Sequence, residues 1–156
     1  MMTIMSVRLD IAAVRDCPGD GGKDEILRTI GKIAHECYQL DAETVRAGLA
    51  AREALGSTGF GREIAIPHTK LDDLDRCVGI FLRLSEPVAF DSQDGKPVGL
   101  IFALLSPAKG GVEHLQALAE ISRFLRDDNM VAKLRGASGQ DALYVLLSKQ
   151  REQRAA

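Results

Sequence analysis

The chain has no strong charge of either sign: 20 basic residues stand against 22 acidic ones, a formal net charge of −2. No basic field exists to hold nucleic acid or an anionic membrane surface, so neither is expected as a partner. No apolar run approaches the length that spans a bilayer, and no secretory signal is visible, so direct membrane insertion is not expected. Cysteines are few, and their number is odd. Cys17, Cys37 and Cys77 lack metal-ligand spacing, which points to free thiols in a reducing cytoplasm. There is no P-loop lysine motif and no clustered set of metal ligands, so nucleotide hydrolysis, a metal site and a cofactor are not expected. Internal repeats are lacking as well.

What is present is enough apolar residue for one sizeable core: 46% of 156 residues. Residues 1–22 read as an N-terminal arm. Its apolar stretch from Val7 to Val14 fits an edge strand, and its Gly-rich end fits a loop. Residues 23–150 read as the domain, and 151–156 as a polar tail.

Ile26, Ile30, Ile33 and Cys37 recur at helical spacing, which predicts an amphipathic helix from Lys23 to Leu40. His35 falls opposite that stripe and reads as a solvated surface histidine. Asp41 suits the N-cap of a second helix over 42–55, ended by Gly56. Val45, Leu49 and Arg52 share one face of it. An arginine there either snorkels over the core to reach water or aims its guanidinium at a nearby site.

The stretch Gly56-Ser-Thr-Gly-Phe-Gly-Arg-Glu-Ile-Ala-Ile-Pro-His68 then breaks the helical pattern. Three glycines give a loop with unusual backbone freedom. Glu63 to Ile66 reads as a short buried strand, and Pro67 stops it. His68 is thereby held at a strand end by a stiff neighbour. Spacing alone admits a packing histidine there. It also admits one working near neutral pH. Thr69 to Arg76 reads as a polar loop.

Period-two alternation over 77–84 predicts a half-buried strand, broken at Glu86-Pro87, with a short further strand over 88–90. Asp94-Gly95 is a turn signal. Val98 to Leu105 is almost continuously apolar, as a strand covered on both faces would be. A breaker-rich loop from Pro107 to Gly111 leads into a helix over 112–126. His114 lies in its first turn, on the stripe of Leu118, Ile121 and Leu125. It reads either as a satisfied packing histidine or as a neutral donor at a helix N-terminus. A short helix over 130–135 and a last one from about Ser138 to Ser148 complete the pattern. Strands mixed with helices, and a hairpin-like turn, predict a single α/β domain: a mixed β-sheet flanked by helices.

The 56–68 stretch resembles the active-site signature of fructose/mannitol-type enzyme IIA domains of the bacterial phosphoenolpyruvate-dependent phosphotransferase system. Ala51-Arg-Glu-Ala-Leu-Gly56, Pro87-Val-Ala-Phe-Asp91, Asp94-Gly-Lys-Pro-Val98 and Val112-Glu-His-Leu115 follow in the family's order. The resemblance runs from about Lys23 to Ser148 and is nearest to the nitrogen-regulatory branch. It implies the family's mixed-sheet fold, with His68 as phosphoryl acceptor and Arg52 and His114 as active-site groups. Loop amides of Gly59 and Gly61, with the Ser57 and Thr58 hydroxyls, are candidates for holding phosphoryl oxygens. The implied donor is a phosphohistidine of the carrier protein HPr or its nitrogen-branch counterpart NPr. Beyond transfer, the resemblance implies regulatory protein targets. The alternatives are relay to an enzyme IIB cysteine, or a binding module that has lost transfer. The family commonly has glycine where Thr69 stands, which leads us to expect a local backbone difference. Phe60 is a candidate contact for the donor.

Overall fold

The computed structural model describes the backbone of residues 3, 4 and 6–155, and the side chains of residues 6–148. Among these residues, one seven-stranded mixed sheet carries helices on both faces. The first strands are β1 (Thr3–Ile4) and β2 (Val7–Cys17). Next come α1 (Gly22–Tyr38) and α2 (Ala42–Ala54). Then follow β3 (Gly59–Gly61), β4 (Ile64–Ala65), β5 (His68–Leu71), β6 (Val78–Val88) and β7 (Val98–Pro107). The chain closes with α3 (Gly111–Arg126), α4 (Asp128–Gly136) and α5 (Gln140–Ala155). Strand order is β1-β2-β6-β7-β4-β3, with β5 also on β7.

The β6–β7 pair is antiparallel, joined through the turn in which Gly95 takes a φ of 72°. Against it, β2 is parallel to β6, while β4 and β5 are parallel to β7. Every residue of β7 is buried, because it lies between paired strands and under helices on both sides. Two cores result. One sets Ile30, Leu49, Ile80 and Leu82 together beneath α1 and α2. The other sets Phe81, Phe102, Ile121 and Leu147 together beneath α3, α4 and α5.

Several expectations are revised. β6 is not half-buried: Val78, Ile80, Leu82 and Leu84 meet one core while Phe81 meets the other. Pro87 does not end it; pairing with β7 resumes at Val88–Val98 after an irregularity, so 88–90 is no separate strand. The stretch 7–17 is one long strand with Val7, Leu9, Ala13 and Val14 buried in the cores. Glu63 lies in a tight turn, not in β4. Arg62 and Glu63 both adopt left-handed φ, 59° and 67°, the arrangement a two-residue hairpin turn needs. Their side chains hold that turn down. Arg62 donates to the Arg126 carbonyl and pairs with Asp128, while Arg135 approaches Glu63. The backbone of α5 runs to Ala155, past the end expected near Ser148, and Ala156 lies outside the described residues.

The most consequential difference concerns Thr69 to Leu71, expected as loop. They continue His68 into β5, because the exposed edge of β7 offers its ladder from Leu104 to Pro107. Thr69 does not have positive φ. Its side chain instead packs on Gly48 of α2, where an added Cβ would meet Thr69 Oγ1 at 2.7 Å.

Candidate functional site

Two strands run end to end along one edge of β7, and the site lies where they part. β4 pairs with Leu100 and Ile101, β5 with Leu104 onward. Pro67 sits in the gap. It has no N–H to place in a ladder, but its carbonyl accepts from Leu104 N at 2.9 Å. The Ile66 carbonyl is thereby turned toward the histidine: His68 Nδ1 lies 2.8 Å from it.

α2 delivers Arg52 to the same place. Asp41 caps this helix by accepting from Thr44 N at 2.9 Å, and Val45 and Leu49 pin its inner face into the core. One turn on from Leu49, the Arg52 guanidinium donates Nε–H to His68 Nε2 at 3.2 Å and Nη1–H to the Gly56 carbonyl at 2.9 Å. The pair of contacts assigns the tautomer. A guanidinium can only donate, so Nε2 must present its lone pair; the ring proton is on Nδ1, donated to Ile66.

α3 brings in the second histidine from the opposite face of the sheet. His114 is buried, with its ring centroid 5.4 Å from that of His68 and the planes at 51°. Its Nδ1 lies 2.7 Å from the hydroxyl of Ser106, at the end of β7. Burial lowers the pKa of His68 below the ordinary 6.5, the Arg52 charge adds to this, and the Ile66 carbonyl opposes it. Burial likewise lowers that of His114, helped by repulsion from His68 when that ring takes a proton and by the Lys70 charge. Both rings are therefore neutral near pH 7.

An open cleft of about 450 Å³ exposes these groups, lined by Gly48, Arg52, Leu55, His68, Thr69 and His114 among others. Arg52, His68 and His114, the three residues that the sequence reading joined, do meet there. The loop groups do not line it. Ser57 donates its hydroxyl to the Phe90 carbonyl and accepts from Gly59 N at 3.0 Å. Thr58 gives both its hydroxyl and its backbone N–H to the carboxylate of Glu53. Gly61 supplies a φ of 97° to the β3–β4 turn. These groups are occupied in shaping the loop.

Sequence reasoning missed Glu53. It is buried at the end of α2, 2.8 Å from Lys23 Nζ, and it ties helix, loop and α1 together. Its signal was available: a carboxylate one residue after an inward-facing arginine. Phe60 packs against the second core. Large apolar side chains stand exposed instead at Leu55, which lines the cleft, and at Val112 and Leu115, on either side of His114 in the chain of α3, at 84%, 78% and 67% exposure. His35 is exposed, as expected. Among the described residues, no helix is long and apolar enough to cross a membrane.

Known proteins resemble this chain along most of its length. Residues 20–150 match the family described as "Phosphoenolpyruvate-dependent sugar phosphotransferase system, EIIA 2". A nitrogen regulatory protein of Bradyrhizobium diazoefficiens is 41% identical over 126 residues, 81% of this chain and 82% of that protein. A fructose-specific EIIA component of Haloferax volcanii is 36% identical over 109 residues, 70% of this chain and 71% of that one. The crystal structure of nitrogen regulatory protein IIA-Ntr from Neisseria meningitidis superposes with a TM-score of 0.83 at 33% identity, covering 89% of this chain and 95% of that one. With most of its length matched on all three counts, this chain belongs to the EIIA 2 family of the phosphoenolpyruvate-dependent phosphotransferase system.

Proposed function

We propose that His68 is a phosphoryl carrier, charged by a phosphohistidine of an HPr- or NPr-type protein in the cytoplasm. The observation that carries this reading is the pairing of its two ring nitrogens. Nδ1–H is spent on the Ile66 carbonyl, and the Nε2 lone pair faces a guanidinium in an open cleft.

In the transfer, the Nε2 lone pair forms a new P–N bond as the donor's N–P bond breaks. The donor imidazole leaves with the electron pair. Little covalent work is required of the protein, so positioning and charge supply the catalysis. Arg52 shifts from Nε2 onto the phosphoryl oxygens, where a planar fork of donors suits them. His114, neutral at the N-terminus of α3, adds a further N–H. Leu55, Val112 and Leu115 give the incoming carrier an apolar rim.

The output is the phosphorylation state. A new dianion in this cleft alters which protein surfaces dock on it, by charge and by desolvation. Similarity to the nitrogen regulatory proteins favours this regulatory reading. The second reading, relay to an enzyme IIB cysteine, is favoured by the likeness to the fructose-specific component.

One experiment tests the carrier and separates the two outputs. The protein is incubated with phosphoenolpyruvate, enzyme I and HPr or NPr, and its intact mass is followed at alkaline pH. An acid-labile phosphoryl adduct, lost in His68→Ala and retained in His114→Ala, is expected. No adduct from any donor would reduce the chain to a binding module. Onward passage to a IIB cysteine would assign it to sugar transport.

A further inference from the structure

Ser106 has no exposed surface, yet it carries a hydroxyl that the scheme above does not use. It is the penultimate residue of β7, paired with Lys70 across the β5 ladder. Two polar groups reach its oxygen. His114 Nδ1 lies at 2.7 Å and the thiol of Cys77, the residue before β6, at 3.5 Å. All three side chains are buried.

The hydroxyl has one proton to give and two neighbours to choose between. An imidazole nitrogen is a strong acceptor; a thiol is a weak one and has a weak S–H of its own to donate. The arrangement that satisfies all three groups runs in one direction. Cys77 S–H donates to Ser106 Oγ, and Ser106 O–H donates to His114 Nδ1. The ring proton of His114 is then on Nε2, the one nitrogen left for the cleft.

We infer that Ser106 is a positioning residue for transfer: it locks His114 in the Nε2–H tautomer, the opposite of the Nδ1–H tautomer of His68. The two rings are then complementary, one presenting a lone pair and the other an N–H. Were the serine absent, His114 Nδ1 would be free to hold the proton, and Nε2 would turn a lone pair toward an incoming phosphoryl dianion. A donor would become a repulsive acceptor. The inference rests on the carrier reading for its consequence, but its physical core concerns the resting protein alone.

The test therefore starts without any phosphoryl donor. Ring ¹⁵N shifts and long-range ¹H–¹⁵N couplings of the full chain at pH 7.5 report each histidine's tautomer directly. We expect Nδ1–H for His68 and Nε2–H for His114. Ser106→Ala is expected to shift His114 toward Nδ1–H and to slow phosphoryl acceptance about tenfold, the worth of one oriented hydrogen bond. Ser106→Thr keeps the hydroxyl and is expected to restore both the tautomer and most of the rate. A wild-type His114 found as Nδ1–H would overturn the inference, whatever the alanine variant does to stability. So would an unchanged tautomer in folded Ser106→Ala. A wild-type chain that takes no phosphoryl group yet shows the two opposite tautomers would sink the carrier reading and leave the lock standing.

Discussion

Arg52 donates its Nε–H to His68 Nε2 across 3.2 Å, so the resting guanidinium covers the nitrogen that transfer needs. Arginine here is both gate and clamp: it must leave the lone pair before it can grip the phosphoryl oxygens. Arg52→Lys keeps the charge but loses the fork. We expect acceptance by His68 to slow by about tenfold to a hundredfold, the loss of one charge-assisted hydrogen bond. Arg52→Ala should also raise the His68 pKa, because the guanidinium charge is one of the influences holding it down. Rapid-quench labelling and an NMR titration of the ring protons measure the two effects.

The acidity of the two imidazoles has a stability consequence. Above their ordinary value of 6.5 both are neutral whether the chain is folded or not. Below it, the unfolded chain takes up protons on both rings that the folded chain resists. Their contribution is therefore complete above pH 6.5 and is lost as pH falls through the lower folded values. Urea denaturation at pH 7.5 and 5.5 should show a smaller loss in His68→Gln/His114→Gln than in the wild type. Phosphoryl acceptance by the wild type should be flat from pH 8 to 6.5 and fall only below that.

Glu53 anchors the loop that precedes the site. Its carboxylate serves Thr58 N, the Thr58 hydroxyl and Lys23, and it is buried. Glu53→Ala leaves buried donors without an acceptor. It should cost about 2–3 kcal/mol in chemical denaturation, more than a surface ion pair would. Glu53→Gln, which keeps an acceptor oxygen, should cost less.

Gly48 and Thr69 should be energetically coupled. Glycine inside a helix ordinarily costs about 1 kcal/mol relative to alanine, so Gly48→Ala would normally stabilise. Here the new methyl meets Thr69 Oγ1 at 2.7 Å and Cγ2 at 3.2 Å. We expect Gly48→Ala to destabilise the wild type and to stabilise a Thr69→Gly background. A double-mutant cycle by thermal unfolding, with a coupling of about 1 kcal/mol or more, would establish the pair.

The exposed rim separates docking from chemistry. Leu55→Ser combined with Leu115→Ser should leave the melting temperature near the wild-type value, because both side chains are largely in solvent and no charge is added beside the cleft. Phosphorylation by the carrier protein should slow at least about tenfold. Phosphorylation by phosphoramidate, which needs no docking, should not change.

The parts of this molecule written in local pattern were legible from the sequence. The stripe of Ile26, Ile30 and Ile33 places α1, the apolar run of β7 places a strand covered on both sides, and Asp41 places a cap. Spacing alone left a packing or snorkelling reading open for Arg52, His68 and His114; the resemblance of the segments that carry them to enzyme IIA domains singled them out. What escaped the sequence depends on neighbours far along the chain. Thr69 to Leu71 is strand only because β7 has an edge to pair with. Ser57 and Thr58 look free to bind phosphate until Phe90 and Glu53 claim their hydroxyls. Neither the Ile66 carbonyl nor the Ser106 hydroxyl has any sequence signature as a partner for a ring nitrogen.

The parting of β4 from β5 at Pro67 also makes this chain intolerant of length change. Side chains along an extended segment switch sides with every residue. Inserting or deleting one residue between Ala65 and His68, with β4 held in register on β7, would shift β5 by one residue, send the imidazole to the wrong side of the sheet and put Pro67 or Thr69 in its place. The length of the Ile66-Pro67 spacer is thus set by the two ladders it joins, whichever residues fill it.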